Sequence, residues 1–172
     1  MQGARLGRLP LFENLTSKER AELEALLEPA SFEPGEEILE EGGPEECLYV
    51  LTSGTVEVHK EVFPDRQQHL ATIEAPAVVG EIALMSEPPA TATVTARSPV
   101  EAWRLPRETF LEKLQAGSDA ACKFAYEIGR TLAERMAGTD ESIAKIVARL
   151  EDTESNRDFE VFRDKLMREW CF

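Results

Sequence analysis

The spacing of apolar residues changes twice along the chain. From Phe32 to Leu105, short apolar or alternating segments are separated by turns that contain Gly and Pro. Segment 55–59 alternates strictly, and segment 47–51 is rich in apolar residues, as expected for a buried strand. The polar segment 61–68 is predicted to be a loop. Many short strands at regular intervals predict a jelly roll.

Helical periodicity flanks the strand region on both sides. Before it, Thr16 and Glu19 fit a capping box that starts a short helix, which is predicted to end ahead of Pro29. After it, apolar residues recur at a 3-4 spacing through residues 119–150 and form a seam wide enough for another helix. The seam consists of Ala125, Leu132, Met136, Thr139, Ile143, Ile146 and Leu150.

A second amphipathic helix is predicted near the C-terminus. Its apolar face is formed by Phe159, Phe162, Leu166 and Trp170. The predicted fold is therefore mainly β with flanking helices: a double-stranded β-helix (jelly roll), then a long C-terminal helix and the second amphipathic helix. The predicted domains are an N-terminal lead-in at residues 1–10, a β-roll domain at 11–115 and a C-terminal helical extension at 116–172.

The apolar seam also predicts how the protein assembles. Its width and the charged remaining faces of the helix suit a homodimer formed through residues 119–150. The alternative is that the stripe packs only on the β-roll of its own chain. The face that contains Trp170 must be covered as well, so we expect this side chain to be buried against the β-roll or a partner chain.

The charge balance narrows the classes of partner. The chain has 33 acidic and 19 basic residues and a net charge of −14. Binding to DNA or RNA relies on neutralising phosphates with Lys and Arg, so a nucleic-acid partner is not predicted. An anionic membrane surface is disfavoured on the same ground, and no apolar run approaches the ~20 residues that span a bilayer. The N-terminus lacks the apolar core of a signal peptide, so we expect a cytoplasmic protein.

Residues suited to catalysis or metal binding are sparse. Cys47, Cys122 and Cys171 form no Cys-x-x-Cys pair, and His59 and His69 are expected to be solvated residues at strand ends. No metal site and no cofactor are therefore predicted. The chain also lacks a nucleophile–base–acid set and a P-loop, so it is not expected to be an enzyme.

One stretch, residues 79–94, combines a glycine, a short helix and a strand, and we call it the cassette. Gly80 and Glu81 open an apolar segment of about one and a half helical turns, which Pro88 ends. Backbone N–H groups at the start of such a helix favour an anion. An ionised Glu81 would accept a hydrogen bond from a donor such as a sugar hydroxyl.

The cassette resembles the phosphate-binding cassette of the cyclic nucleotide-binding domain family. Gly-Glu-Ile-Ala-Leu at 80–84 matches the first half of the family pattern, and Pro89 with Ala-Thr-Val at 92–94 matches the second. The similarity extends over residues 11–115 and implies a regulatory β-roll whose ligand is a cyclic nucleotide or another small anion. The ligand-binding residues it implies are Gly80, Glu81, Ile82, Ala83, Pro89, Ala90, Thr91 and Ala92.

One position departs from the family pattern. Where the family has an arginine that pairs with the cyclic phosphate, this chain has Ala90. An arginine fork matches phosphate best, so its loss predicts weak binding of cAMP or none, unless Arg97 or Arg66 supplies the charge. Two functions stay open. The first is a regulatory ligand-sensing module that signals through its C-terminal helices; the alternative is a ligand-free, degenerate relative that acts as a dimeric interaction module with a protein partner.

Overall fold

The computed structural model describes residues 9–44, 46–63, 66–85 and 89–152, with the backbone alone described for 63, 66, 83 and 140–152. The chain divides into two units, residues 1–129 and 130–172. The described helices are α1 (Pro10–Glu13), α2 (Ser17–Glu24), α3 (Glu81–Met85), α4 (Arg107–Gln115) and α5 (Asp119–Asp152). The described strands are β1 (Glu28–Phe32), β2 (Glu37–Leu39), β3 (Cys47–Ser53), β4 (Thr55–Phe63), β5 (Arg66–Glu74), β6 (Ala77–Val79), β7 (Thr93–Ala96) and β8 (Val100–Pro106).

These strands form two antiparallel four-stranded sheets. The strand orders are β1-β8-β3-β6 and β2-β7-β4-β5, so most neighbours are distant in sequence. Apolar side chains from both sheets meet in one core, formed by Ile38, Leu51, Val56, Val79, Val94, Ala96, Val100 and Ala102. Two sheets that share one core are the predicted jelly roll, and the fold class is confirmed.

The prediction of a loop at residues 61–68 was wrong. β4 extends to Phe63 and β5 begins at Arg66, and the two strands pair here as a hairpin with Glu61 opposite Gln67. The described side chains at the start of β5 are exposed, so both faces of this arm can be polar while its backbone groups pair with each other. His59 and His69 are consequently not at strand ends, because they pair with each other inside the β4–β5 ladder. Their rings pack edge to face with centroids 5.3 Å apart.

The first strand also begins earlier than predicted. α2 ends at Glu24 and β1 starts at Glu28, so Pro29 lies within a strand and does not end a helix. β1 lies at the edge of its sheet, next to β8. An edge strand has one side without ladder hydrogen bonds, and a residue that lacks an N–H is tolerated there.

Helices α1, α4 and α5 meet through three phenylalanines. Phe12, Phe110 and Phe124 each have at most 1% of their surface exposed. The centroid of the Phe124 ring lies 5.1 Å from that of Phe12 and 5.8 Å from that of Phe110. We call these three residues the aromatic junction. The capping box of α2 is confirmed, because Thr16 and Glu19 each accept a hydrogen bond from the other's backbone N–H.

The long helix predicted near residues 119–150 is present as α5, but its buried face in the first unit is not the predicted seam. The buried apolar residues of that part are Ala120, Ala121, Phe124 and Ile128. Of the seam, Ala125 and Leu132 are half-buried, and Met136 is 60% exposed. Outside the description lie the side chains of Ile143, Ile146 and Leu150 and the whole predicted helix with Phe159, Phe162, Leu166 and Trp170.

The part of the chain that the structure describes contains neither a membrane-spanning helix nor a metal cluster. None of its helices is long and apolar enough to cross a membrane. Within the same ranges, no group of three or more His, Cys, Asp and Glu residues is placed to hold a metal. Cys47 is half-buried and Cys122 is exposed, and both are free thiols.

Candidate functional site

The first half of the cassette is a tight turn from β6 into α3. Gly80 joins the two elements with a φ of 78°, a left-handed conformation that glycine adopts without strain. Directly after it, Glu81 is 7% exposed and Leu84 is 2% exposed. α3 packs against β3 and α4. Burial of Leu84 therefore fixes this short helix on the β-roll and sets the position of the Glu81 carboxyl group.

The second half of the cassette is held by backbone hydrogen bonds. The Ala90 N–H donates to the Gly43 carbonyl at 3.0 Å, and the Gly42 N–H donates to the Ala90 carbonyl at 2.9 Å. Ala90 is 4% exposed. β7 begins at Thr93, whose hydroxyl accepts from the Glu41 N–H at 3.0 Å. The two bonds that hold residue 90 use only backbone atoms, so they do not depend on its side chain.

The structure places the predicted ligand-binding residues in one continuous segment between β6 and β7. They are the buried Gly80, Glu81 and Ala90, the half-buried Ile82 and Ala92, and the exposed Pro89 and Thr91. Ala83 lies in α3, but its side chain is outside the description, as are residues 86–88. A role of these residues in binding stays a prediction.

The structure adds a cation that the sequence reasoning missed. Lys60, in β4, donates from Nζ to the Thr91 carbonyl at 2.6 Å and to Glu41 Oε1 at 3.0 Å. The other oxygen of Glu41 accepts from the Glu61 N–H at 2.7 Å. These bonds lower the pKa of the Glu41 carboxyl, first through the Glu61 N–H and then through Lys60. We call Lys60, Glu41 and Thr91 the lysine cluster.

Strand register explains why Lys60 reaches the cassette. β4 and β7 are antiparallel neighbours, with His59 opposite Thr93, so the residue after His59 lies beside the residues that precede β7. Lys60 and Thr91 are 31 positions apart in sequence, and no local motif relates them. Alternation along β4 was a usable signal, because Lys60 follows Val58 by two residues and shares its face.

Of the two arginines considered as substitutes, Arg97 does not fill the place of Ala90. Arg97 follows the other end of β7, where its N–H donates to the Thr55 carbonyl and its guanidinium lies 3.3 Å from the Glu57 carboxylate. The side chain of Arg66 lies outside the description. Arg97 is therefore engaged away from the start of β7.

A family model for the cyclic nucleotide-binding domain matches residues 29–116 of this chain. The chain belongs to the cyclic nucleotide-binding domain family. The matched range includes the β-roll, the cassette and α4. Membership confirms the resemblance drawn from the cassette residues, and the chain's relatives support a regulatory, ligand-sensing module.

Among curated proteins, the cAMP-dependent protein kinase regulatory subunit of Aspergillus fumigatus is 31% identical to this chain over 126 residues. The match covers 73% of this chain and 30% of that subunit, so the chain spans less than a third of its relative's length. Domains of this family are generally regulatory and not catalytic.

Solved structures give the same fold. The N-terminal domain of a transcriptional regulator from Streptomyces coelicolor has a TM-score of 0.67 and 28% identity, covering 80% of this chain and 95% of that one. The regulatory subunit of a cAMP-independent protein kinase A from Trypanosoma brucei, in a triple mutant bound to cAMP, has a TM-score of 0.62 and 21% identity. That match covers 95% of this chain and 49% of the other.

Proposed function

We propose that the protein is a regulatory ligand-sensing module that binds a cyclic nucleotide or another small anion weakly and signals through its C-terminal helices. The observation that supports it is the cassette, which keeps the left-handed Gly80 and the buried Glu81 but has a buried alanine at position 90. A ligand such as cAMP would find N–H donors after Gly80 and an acceptor for its sugar hydroxyl in Glu81. It would lack the guanidinium fork at Ala90.

The absence of an arginine guanidinium at position 90 sets the expected affinity for cAMP. Loss of one partner of a desolvated charge pair typically costs ~2–5 kcal/mol. At ~1.4 kcal/mol per tenfold change, a micromolar site becomes one of roughly 30 micromolar to several millimolar.

Successive contacts between helices connect the cassette with α5, and they support the signalling part of the proposal. α3 contacts α4, and Phe110 of α4 contacts Phe124 of α5. A ligand that favours one position of α3 would therefore change the packing of Phe110 and the direction in which α5 leaves the junction. Residues 119–150 would transmit this change as a homodimer.

The second candidate is a ligand-free dimeric interaction module with a protein partner. Ala90 favours it, because this residue is 4% exposed and both its backbone polar groups are bonded to the loop at Gly42 and Gly43. Such a segment is stable without a ligand. The two candidates predict different behaviour of the same variant.

The test is the substitution Ala90→Arg, measured by isothermal titration with cAMP and cGMP. If the cassette has kept a working pocket, the new guanidinium should raise affinity by at least about 30-fold, the lower end of the charge-pair estimate. Ala90→Met is the matched control, because it adds a side chain of similar length without the charge, and it should not bind better than the wild type.

The control separates charge from shape. A higher affinity for cAMP or cGMP in Ala90→Arg, but not in Ala90→Met, supports the ligand-sensing module. If Ala90→Arg retains the wild-type melting transition but binds neither nucleotide, the pocket is closed and the interaction module becomes the better account. A thermal-shift panel of cyclic mono- and dinucleotides on the wild type should precede the titrations, because any ligand that binds only the folded state raises the melting temperature.

A further inference from the structure

Lys60 lies on the inner face of β4 at the edge of the cassette. Val56 is fully buried and Val58 packs against the same core, and alternation places Lys60 next on that face. The irregularity after Val58 does not reverse this order, because the extra residue, Leu70, lies in β5. Lys60 thus points to the same side of the sheet as the core residues, and its side chain is 45% exposed.

The bonds of Lys60 leave it able to take another partner. Its ammonium group has three donors, and two are used by the Thr91 carbonyl and by Glu41. Thr91 is the residue directly after Ala90, so the ammonium group lies one residue from the position of the missing arginine. The Lys60 ammonium group is the only positive charge among the three residues of the lysine cluster, and Glu41 is its counter-ion.

We propose that Lys60 is the cation that pairs with the negative group of the bound ligand, and that Glu41 is the counter-ion it gives up on binding. This inference rests on the proposed function. The ligand class is a compound with a single phosphodiester charge, such as a cyclic nucleotide. A lysine meets such a group as a point charge on a flexible stem and not as a two-pronged fork, which agrees with weak and less selective binding.

The Glu41 carboxylate competes with the ligand for the Lys60 ammonium group. Its carboxylate is held by the Glu61 N–H as well as by Lys60, and its own N–H donates to Thr93, so it stays in place when a ligand arrives. An incoming phosphodiester must therefore replace this carboxylate at the Lys60 ammonium. Removing the charge of Glu41 should therefore favour the ligand, whereas removing the charge of Lys60 should oppose it.

The experiment measures the dissociation constants of cAMP and adenosine for four variants by isothermal titration. Adenosine has the same base and sugar but no phosphate. Lys60→Met should weaken cAMP binding about tenfold and leave adenosine unchanged, because the pair is partly solvated. Lys60→Arg should restore cAMP binding to within about threefold. Glu41→Gln should strengthen it about threefold to tenfold. Lys18→Met, which removes an equal charge in α2, should behave as the wild type.

The outcomes separate this inference from the proposed function. Equal cAMP affinity in Lys60→Met and the wild type would overturn the inference and leave the function intact. Equal losses for cAMP and adenosine would also overturn it, because Lys60 would then only keep the pocket in shape. If cAMP binds to Ala90→Arg but neither to the wild type nor to Glu41→Gln, Lys60 does not replace the arginine. If neither the wild type nor any variant binds cAMP at millimolar concentration, the proposed function fails and the inference fails with it.

Discussion

The aromatic junction and the cassette lie in the same unit of the chain but are held by different interactions. At the junction, the Phe124 ring packs against the rings of Phe12 and Phe110, and all three have almost no exposed surface. In the second half of the cassette, residue 90 is held through its backbone, and Lys60 bridges Thr91 and Glu41 while remaining about half exposed.

This difference explains how a ligand site can change while the fold is kept. Buried rings contribute through the area they remove from water and through close packing, so truncation leaves a cavity. A backbone hydrogen bond is indifferent to the side chain of the residue that makes it. Position 90 can therefore exchange arginine for alanine with little effect on stability, whereas Phe124 cannot be exchanged so freely.

The first prediction tests the junction directly. Phe124→Ala should lower the free energy of unfolding by about 4 kcal/mol, because it removes a ring that contacts Phe12 and Phe110 and leaves a cavity. Urea denaturation measures this change. Phe124→Leu is the control and should lose less than half as much, since most of the volume is kept. A loss below about 1 kcal/mol in Phe124→Ala would show that the junction is not a packed core.

The second prediction tests α5 beyond the junction. Met136 belongs to the predicted dimer seam and is 60% exposed in the single chain. Met136→Glu should weaken the proposed homodimer by about 3 kcal/mol, or more than 100-fold, because a charge would be buried at the interface. Ala137→Glu, about a quarter turn away, should leave the dimer unchanged.

Light scattering over a range of protein concentrations measures the mass of the wild type and of both variants. A dimer mass for Met136→Glu equal to that of the wild type would contradict a dimer through the seam. A monomer mass for the wild type would instead support the reading that the stripe packs within its own chain.

A third, smaller effect should appear as a dependence of stability on pH. The pKa of Glu19 is lowered from 4.5 to about 2, first by the hydrogen bond from Lys123 and then by the Thr16 N–H. Because the folded pKa is the lower one, this stabilisation is complete above about pH 4.5 and is lost as the pH falls towards 2. The wild type should melt above Glu19→Gln at pH 7, and the gap should shrink between pH 4.5 and pH 3. A gap that is constant with pH would contradict this assignment.

Much of the fold could be predicted because its signals are local. The capping box needs only Thr16 and Glu19, and the turn at Gly80 follows from a short pattern. The hairpin at 61–68 was missed because its strands satisfy each other's backbone groups in water, so neither apolar nor alternating residues are required. Phe124 was missed because the predicted seam included only one face of the helix, and Phe124 lies on the neighbouring face.

The candidate site was predictable only in part for a related reason. The cassette is one continuous segment, so the eight residues predicted to bind a ligand could be named from sequence, and their role stays a prediction. Lys60 comes from another strand, and its contact with Thr91 exists because the register of β4 and β7 brings them together. Charge partners across a sheet depend on that register, which a single sequence does not define.

We propose that the cassette keeps its shape but lacks the strong phosphate partner. The most direct test is the dissociation constant of cAMP for the unaltered protein, measured by isothermal titration at physiological salt. We expect a value from roughly 30 micromolar to several millimolar, the range that follows when a desolvated charge pair is lost. A value in the low micromolar range would contradict it, because the pocket would then bind cyclic phosphate at full strength without an arginine at position 90.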